Sequence, residues 1–158
     1  MKKAGLLFII KDRRNLSVIF QKRGRAGKPK TTLRIPIHSF LYSHEDNWEC
    51  ILRNSDKELG PQITDILSNK YADGCIYIAL ENNEPGNEHL IYFTVFTPIE
   101  ATRIHSLAVS GSLHTVPSRD IRPDGTPNDY DYIPEELSAV HFALRAVSLT
   151  RDTEQNAR

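Results

Sequence analysis

A chain of 158 residues is long enough to bury one substantial core, and 39% hydrophobic with 25% charged residues is the composition of an ordinary globular protein. Lys+Arg and Asp+Glu both number 20, so the formal charge is zero, which argues against wholesale nucleic-acid or membrane binding. Cys50 and Cys75 form neither a disulfide framework nor a zinc spacing, so free thiols in a reducing compartment are expected.

Met1-Lys2-Lys3 followed by AGLLFII has the look of a signal peptide, but the apolar run is too short, charge resumes at Lys11 and no small-residue cleavage site follows. The run is read as a strand, Ala4–Ile10. No segment is apolar for long enough to cross a membrane, and cytoplasmic location is the expectation. Leu16–Gln21 is a second β-branched and aromatic run. Lys11 to Asn15 between them predicts a hairpin with a longer than minimal turn. A basic loop, KRGRAGKPK, leads into a β-rich run from Leu33 to Phe40.

Trp48, Ile51, Leu52, Ser55 and Leu59 recur every three or four residues and predict one amphipathic helix. Ser43 with Glu45 and Asp46 behind it supplies a negatively charged start. Gly60 and Pro61 supply the stop, with Gly60 expected at positive φ. Gln62–Tyr71 reads equally as a short helix or a connecting strand. Gly74–Leu80 and His89–Thr97 are strands joined by a turn region, Glu81–Glu88, while Pro98 to Gly111 has no clean period. Leu113–Val116 is a short strand, Arg122–Asp131 a Pro/Gly/Asp-rich loop. The last helix starts at Pro134, with Glu135 and Glu136 complementing its dipole and Leu137, Val140, Leu144 and Val147 as its apolar stripe. Residues 151–158 are polar and read as a disordered tail behind a domain of residues 1–150.

The stretch from Ser39 to Pro61 resembles a degenerate Nudix box, G-x5-E-x7-R-E-U-x-E-E-x-G-U, where U is a bulky aliphatic residue. Glu45, Arg53, Glu58 and Gly60 match the pattern. Ser39 replaces its first glycine, Asn54 and Lys57 replace two glutamates, and Ser55 and Pro61 replace aliphatic residues. The order hairpin, loop, strand, loop, helix also resembles that family, over roughly Lys3 to Leu149. The implied fold is a single α/β domain, a Nudix-like α/β/α sandwich around a mixed sheet. The implied activity is Mg²⁺- or Mn²⁺-dependent cleavage of a nucleoside diphosphate linked to another group.

The substitutions act against that chemistry. Mg²⁺ needs several hard oxygen ligands converging from one helix face. Asn54, Lys57 and Glu58 share a face here and offer one amide, one ammonium and one carboxylate. No metal or other cofactor is therefore expected, Glu58 being the one metal candidate. Glu58, Glu45 and Arg53 are the catalytic candidates if activity survives. Glu45, Glu49 and Asp56 read as a solvated acidic edge with an Arg53–Glu49 ion pair. Glu84, Glu88 and Asp120 lie in later loops that could approach the box. His38 and His44 flank the opening of the box, but their spacing fits no zinc motif.

Between Lys11 and Lys30 lie eight Lys or Arg and one acid. Lys22, Arg23 and Arg25 sit where Nudix proteins often meet ligand phosphates, and a guanidinium pairs with phosphate oxygens bidentately. Arg23, Lys57, Lys22, Arg25, His38 and Asn54 are thus the ligand-binding candidates. From Lys22 to Lys30 no aromatic residue interleaves with the charges, which disfavours nucleic acid. The reading is a nucleotide- or phosphate-binding domain without hydrolysis. Its alternatives are a divergent hydrolase with carboxylates recruited outside the box, and a scaffold or interaction module. A homodimer is left open.

Overall fold

The computed structural model describes residues 1–23, 31–109, 112–122 and 130–156, with side chains to residue 150. Its backbone is organised by β1 (Lys2–Asp12) and β2 (Asn15–Arg23). These strands pair antiparallel with Asp12 opposite Asn15, so the turn is the minimal Arg13-Arg14 and not the longer one expected. Arg13 accepts φ +54 to close it.

The β-rich run expected from Leu33 to Phe40 is two strands, not one. β3 (Thr31–Arg34) and β4 (Ile37–Phe40) are separated at Ile35-Pro36. Proline has no N–H to give to a ladder, which is why the run breaks there. β3 pairs with β2, whereas β4 pairs with the start of β1, so one sequence segment serves two diverging parts of the sheet.

α1 (Asn47–Glu58) is the expected amphipathic helix, but it begins later than Ser43. Asp46 is its N-cap and forms a capping box with Glu49, which accounts for both acids. Gly60 lies just past its end at φ +102, as expected. Pro61 does more than stop a helix, because it opens the next one. α2 (Pro61–Ala72) resolves the ambiguous segment, with proline at a first-turn position where no N–H is needed.

β5 (Tyr77–Glu84) and β6 (Asn87–Phe96) form the second hairpin. The segment without a clean period contains α3 (Pro98–Leu107). Thr97 and Glu100 make its capping box, and Pro98 opens its first turn. β7 (Leu113–Pro117), a 3-10 turn at Ser118–Asp120, β8 (Tyr130–Tyr132) and α4 (Pro134–Asn156) complete the chain.

Among the described residues eight strands make one mixed sheet in the order β5-β6-β1-β2-β3-β8, with β4 also on β1 and β7 also on β2. β1 runs parallel to β6 and β3 parallel to β8. Side chains alternate across β1, so its two faces build two cores. Leu7 and Ile9 pack with Val18, Phe20 and Ile91 beneath Leu137, Val140, Ala143 and Val147 of α4. Ala4, Leu6 and Phe8 pack with Ile51 of α1, Leu59 at its C-cap, Ile63 and Leu67 of α2, and Ile104 of α3. The result is the expected α/β/α sandwich, and it holds α1 and the first turn of α4 against opposite faces of the same strands.

Candidate functional site

The loop between β4 and α1 is closed by Arg53. Its Nε donates to Glu45 Oε2 at 2.7 Å and its Nη2 to Glu45 Oε1 at 3.0 Å. Nη2 also donates to the carbonyl of Phe40 at 2.9 Å, and the guanidinium lies 3.6 Å from the Tyr42 ring centroid. The expected Arg53–Glu49 pair is not the one formed. Glu49 is taken by the helix cap, and Glu45, although eight residues away, is brought within reach by the loop. The Arg53 hydrogen bonds hold the Glu45 carboxyl below its ordinary value. His44 in the same loop adopts φ +76, a conformation that favours glycine.

Cys50 is buried under this loop, and burial pushes its thiol up to about 11. Cys75 is half-buried. A thiol reagent at mildly alkaline pH is therefore expected to label Cys75 in the native protein and to spare Cys50 until denaturant is added. Rapid labelling of both native thiols would contradict this placement.

At the far end of α1, Arg23 Nη2 lies 3.2 Å from Glu58 Oε2. The Gln21 side-chain oxygen accepts from the same guanidinium at 3.2 Å, steadying it from within β2. The end of β2 thus meets the helix face that carries Glu58, beside the exposed Lys57. Lys22 is not part of this group. It points to the other face of the strand, 5.7 Å from the Tyr130 ring centroid. Asn54 is buried, and its Oδ1 accepts from the backbone N–H of His38 at 3.3 Å, tying α1 to β4. Arg25 lies outside the described residues. Glu84 is at the tip of the β5–β6 hairpin, Glu88 pairs with Lys2 at 3.1 Å, and Asp120 is in the 3-10 turn.

A Mg²⁺ cage does not fit these residues. Glu58 is paired with Arg23, Glu45 with Arg53, the Asn54 oxygen is committed to β4, and Lys57 adds a positive charge beside Glu58. Among the described residues no three His, Cys, Asp or Glu side chains converge as metal ligands.

A polar cluster with no counterpart in the sequence reading lies on the α4 face of the sheet. His38 Nδ1 is 2.5 Å from Glu136 Oε2, and His38 Nε2 is 2.6 Å from His89 Nε2. His89 Nδ1 in turn contacts Glu135 Oε1. Glu136 Oε1 accepts from Ile35 N at 2.9 Å, and Arg34 Nη2 lies 3.5 Å from Oε2. The planes of the two imidazoles are nearly parallel, 6° apart, with centroids 4.7 Å apart. They meet above β1 because Gly5, which is paired with both His38 and Ile91, has no side chain. A Cβ there would lie 2.9 Å from Ile35 Cδ1, 3.0 Å from the Ile37 carbonyl and 3.2 Å from His38 Cδ2. That isolated strand glycine was the one sequence signal of a close approach. His89 also borders a polar cavity of about 340 Å³ shared with Lys3, Glu45, Asp46, Asn47 and Glu81. An apolar groove of about 450 Å³ lies on the other side of α4, against Tyr77, Ile78 and Phe142. Neither cavity is lined by Arg23 or Lys57.

No protein-family model matches the sequence, and no curated protein matches it significantly. Solved structures do match. A mutT/nudix family protein from Listeria innocua superposes with a TM-score of 0.56 at 12% identity, over 94% of each chain. Shewanella oneidensis NrtR superposes with a TM-score of 0.56 at 14% identity, over 93% of this chain and 63% of that one. This chain has the Nudix fold. The NUDIX domain of NrtR complexed with ADP ribose gives a TM-score of 0.53 at 12% identity, over 93% of this chain and 88% of that domain. The chain thus spans less than two thirds of NrtR itself and nearly all of its Nudix domain.

Proposed function

We propose that this Nudix-fold domain binds a nucleotide or another phosphorylated small molecule and does not carry out Mg²⁺-dependent hydrolysis. The observation that carries the reading is the contact of Arg23 with Glu58. It sets a guanidinium over the end of α1 where Asn54 and Lys57 stand in place of the two glutamates of a Nudix box. Cationic donors suffice for a phosphate, and Lys57, which would repel a metal ion, becomes a second donor. The site is a surface one, so its affinity falls as salt rises. One fold neighbour is complexed with ADP ribose, which makes that ligand the first to try. Another is complexed with a 27mer DNA. The Lys22–Arg23 strand end has too few interleaved aromatic residues to favour the same here. No helix of the described residues is long and apolar enough to cross a membrane, and a cytoplasmic small-molecule ligand is the proposed partner.

Calorimetry with a panel of nucleotides and ADP-ribose, in EDTA, tests the site. Arg23→Ala and Lys57→Glu are expected to weaken binding several-fold. Glu58→Gln is expected to strengthen it, because it frees Arg23 and removes a negative charge beside the phosphate. If no nucleotide binds at millimolar concentration, or if both weakening variants bind as the wild type does, the site is wrong.

With Mg²⁺ or Mn²⁺ the protein is expected to show no appreciable turnover of nucleoside triphosphates, ADP-ribose, NAD or dinucleoside polyphosphates. Robust hydrolysis abolished by Glu58→Gln would instead establish a divergent hydrolase. The acids that line the polar cavity, Glu45, Asp46, Glu81 and Glu88, would then be the first recruits to test.

A further inference from the structure

The contacts among Glu136, His38, His89 and Glu135 have a proton count that can be read from geometry alone. Three hydrogen bonds in series need three protons, on whichever side of each contact the proton sits. Two neutral imidazoles between two carboxylates bring only two. We propose that the His38–His89 pair takes up one additional, shared proton, and that a further proton opens the contact, making the pair an acid-operated latch on the first turn of α4.

The charges around the pair suit a single extra proton. Glu135 and Glu136 approach from α4, Arg34 from β3 and Lys3 from β1. With three protons the two histidines and two glutamates sum to one negative charge, which Arg34 offsets. From α1 only the neutral Asn54 reaches His38, through its backbone. The cavity beyond His89 adds Lys2, Glu45, Asp46, Glu81 and Glu88 at greater remove. The His38 and His89 side chains are 5% and 1% exposed, so water cannot relay the contact between the rings.

A fourth proton places an N–H on both Nε2 atoms of a 2.6 Å contact, with no acceptor between them. The rings must then part. Each ring carries its own glutamate, His38 with Glu136 and His89 with Glu135. Parting therefore drives neighbouring residues of α4 in different directions and loosens its first turn, although Ile35 N–H and Arg34 still hold Glu136. Burial, and next the charge on His38, hold His89 below the ordinary imidazole value of 6.5. The unfolded chain therefore binds a proton near that value while the folded one refuses it until lower pH. For this further proton, stability is full above 6.5 and is lost as pH falls through the lowered folded value. The shared proton has the opposite sign: the folded pair holds it near neutral pH and the unfolded chain does not, so its stability is lost as pH rises through the pair's own titration.

Long-range ¹H–¹⁵N spectra of the imidazoles in the full chain, from about pH 8 to about pH 5, test the latch, since histidines titrate in that window. A low-field proton correlated with both Nε2 nitrogens is expected near neutral pH. It should vanish on acidification together with hydrogen-exchange protection of the amides of residues 137–140. Thermal melts of wild type should fall over the same interval, and His89→Gln should flatten that fall. Two rings that titrate independently at an ordinary value with no bridging proton, or a His89→Gln melt as acid-sensitive as wild type, would overturn the proposal. If His89→Gln does not fold, the wild-type spectra decide it.

Discussion

Glu136→Leu is expected to destabilise the protein by roughly 3–5 kcal/mol, the usual cost of removing one partner from a buried charged pair. Its side chain is 3% exposed and has no room to be replaced by water. Leucine is of similar size, so the loss is chemical and not a matter of volume. Ile35 N–H loses its acceptor at 2.9 Å, His38 Nδ1 loses its partner at 2.5 Å, and Arg34 loses its counter-charge. Each buried orphan costs about 1–3 kcal/mol by itself. Glu136→Gln keeps one acceptor and should fall between the two. Urea denaturation monitored by circular dichroism measures the difference. A leucine variant as stable as wild type would mean that the four-residue network does not hold α4 to the sheet.

Gly60→Val is expected to cost roughly 2–3 kcal/mol, from backbone strain with a smaller steric part. Gly60 has φ +102 and ψ 165, where side-chain-bearing residues are rarely found. Both Leu59 N and Gly60 N donate to Ser55 O, at 2.8 and 3.0 Å, and Gly60 O accepts from Thr64 N at 3.2 Å. The residue is therefore fixed from both sides as the joint between α1 and α2. An added Cβ would lie 2.9 Å from Val109 Cγ1. Val109 is 69% exposed and can turn aside, so strain supplies the larger share. Gly60→Ala on a Val109→Ala background removes the clash and keeps the strain. It should retain most of the loss in denaturant midpoint. Full recovery in that double variant would show that sterics alone held the position, and a neutral Gly60→Val would place the end of α1 elsewhere.

Periodicity and punctuation specified much of the architecture. Both hairpins, the amphipathic α1, its exit at Gly60 and the start of α4 at Pro134 are local events. They are set by side-chain alternation, by one glycine and by one proline, and neighbours within four residues suffice to state them. Even α3 was within reach, since Thr97, Pro98 and Glu100 together form a helix start. It was missed because the segment behind that start has no clear apolar stripe. The split of Leu33–Phe40 into two strands was likewise signalled by Pro36, but where the two halves go was not.

The site divides the same way. The sequence by itself carried a resemblance that sets Asn54 and Lys57 where a Nudix box has glutamates. It also placed Arg23 at the end of a strand next to a basic loop. Only the tertiary structure decided which charges meet. Arg53 chose Glu45 over the helical neighbour Glu49 because the loop brings Glu45 to it and the cap occupies Glu49. Arg23 found Glu58 because β2 ends over α1. The cluster on the opposite face joins residues 51, 98 and 101 positions apart. No local pattern specifies such a pairing. It exists because two strands flank a glycine on β1 and a helix start lies above them, and the low dielectric of that interior makes each polar group there find a partner.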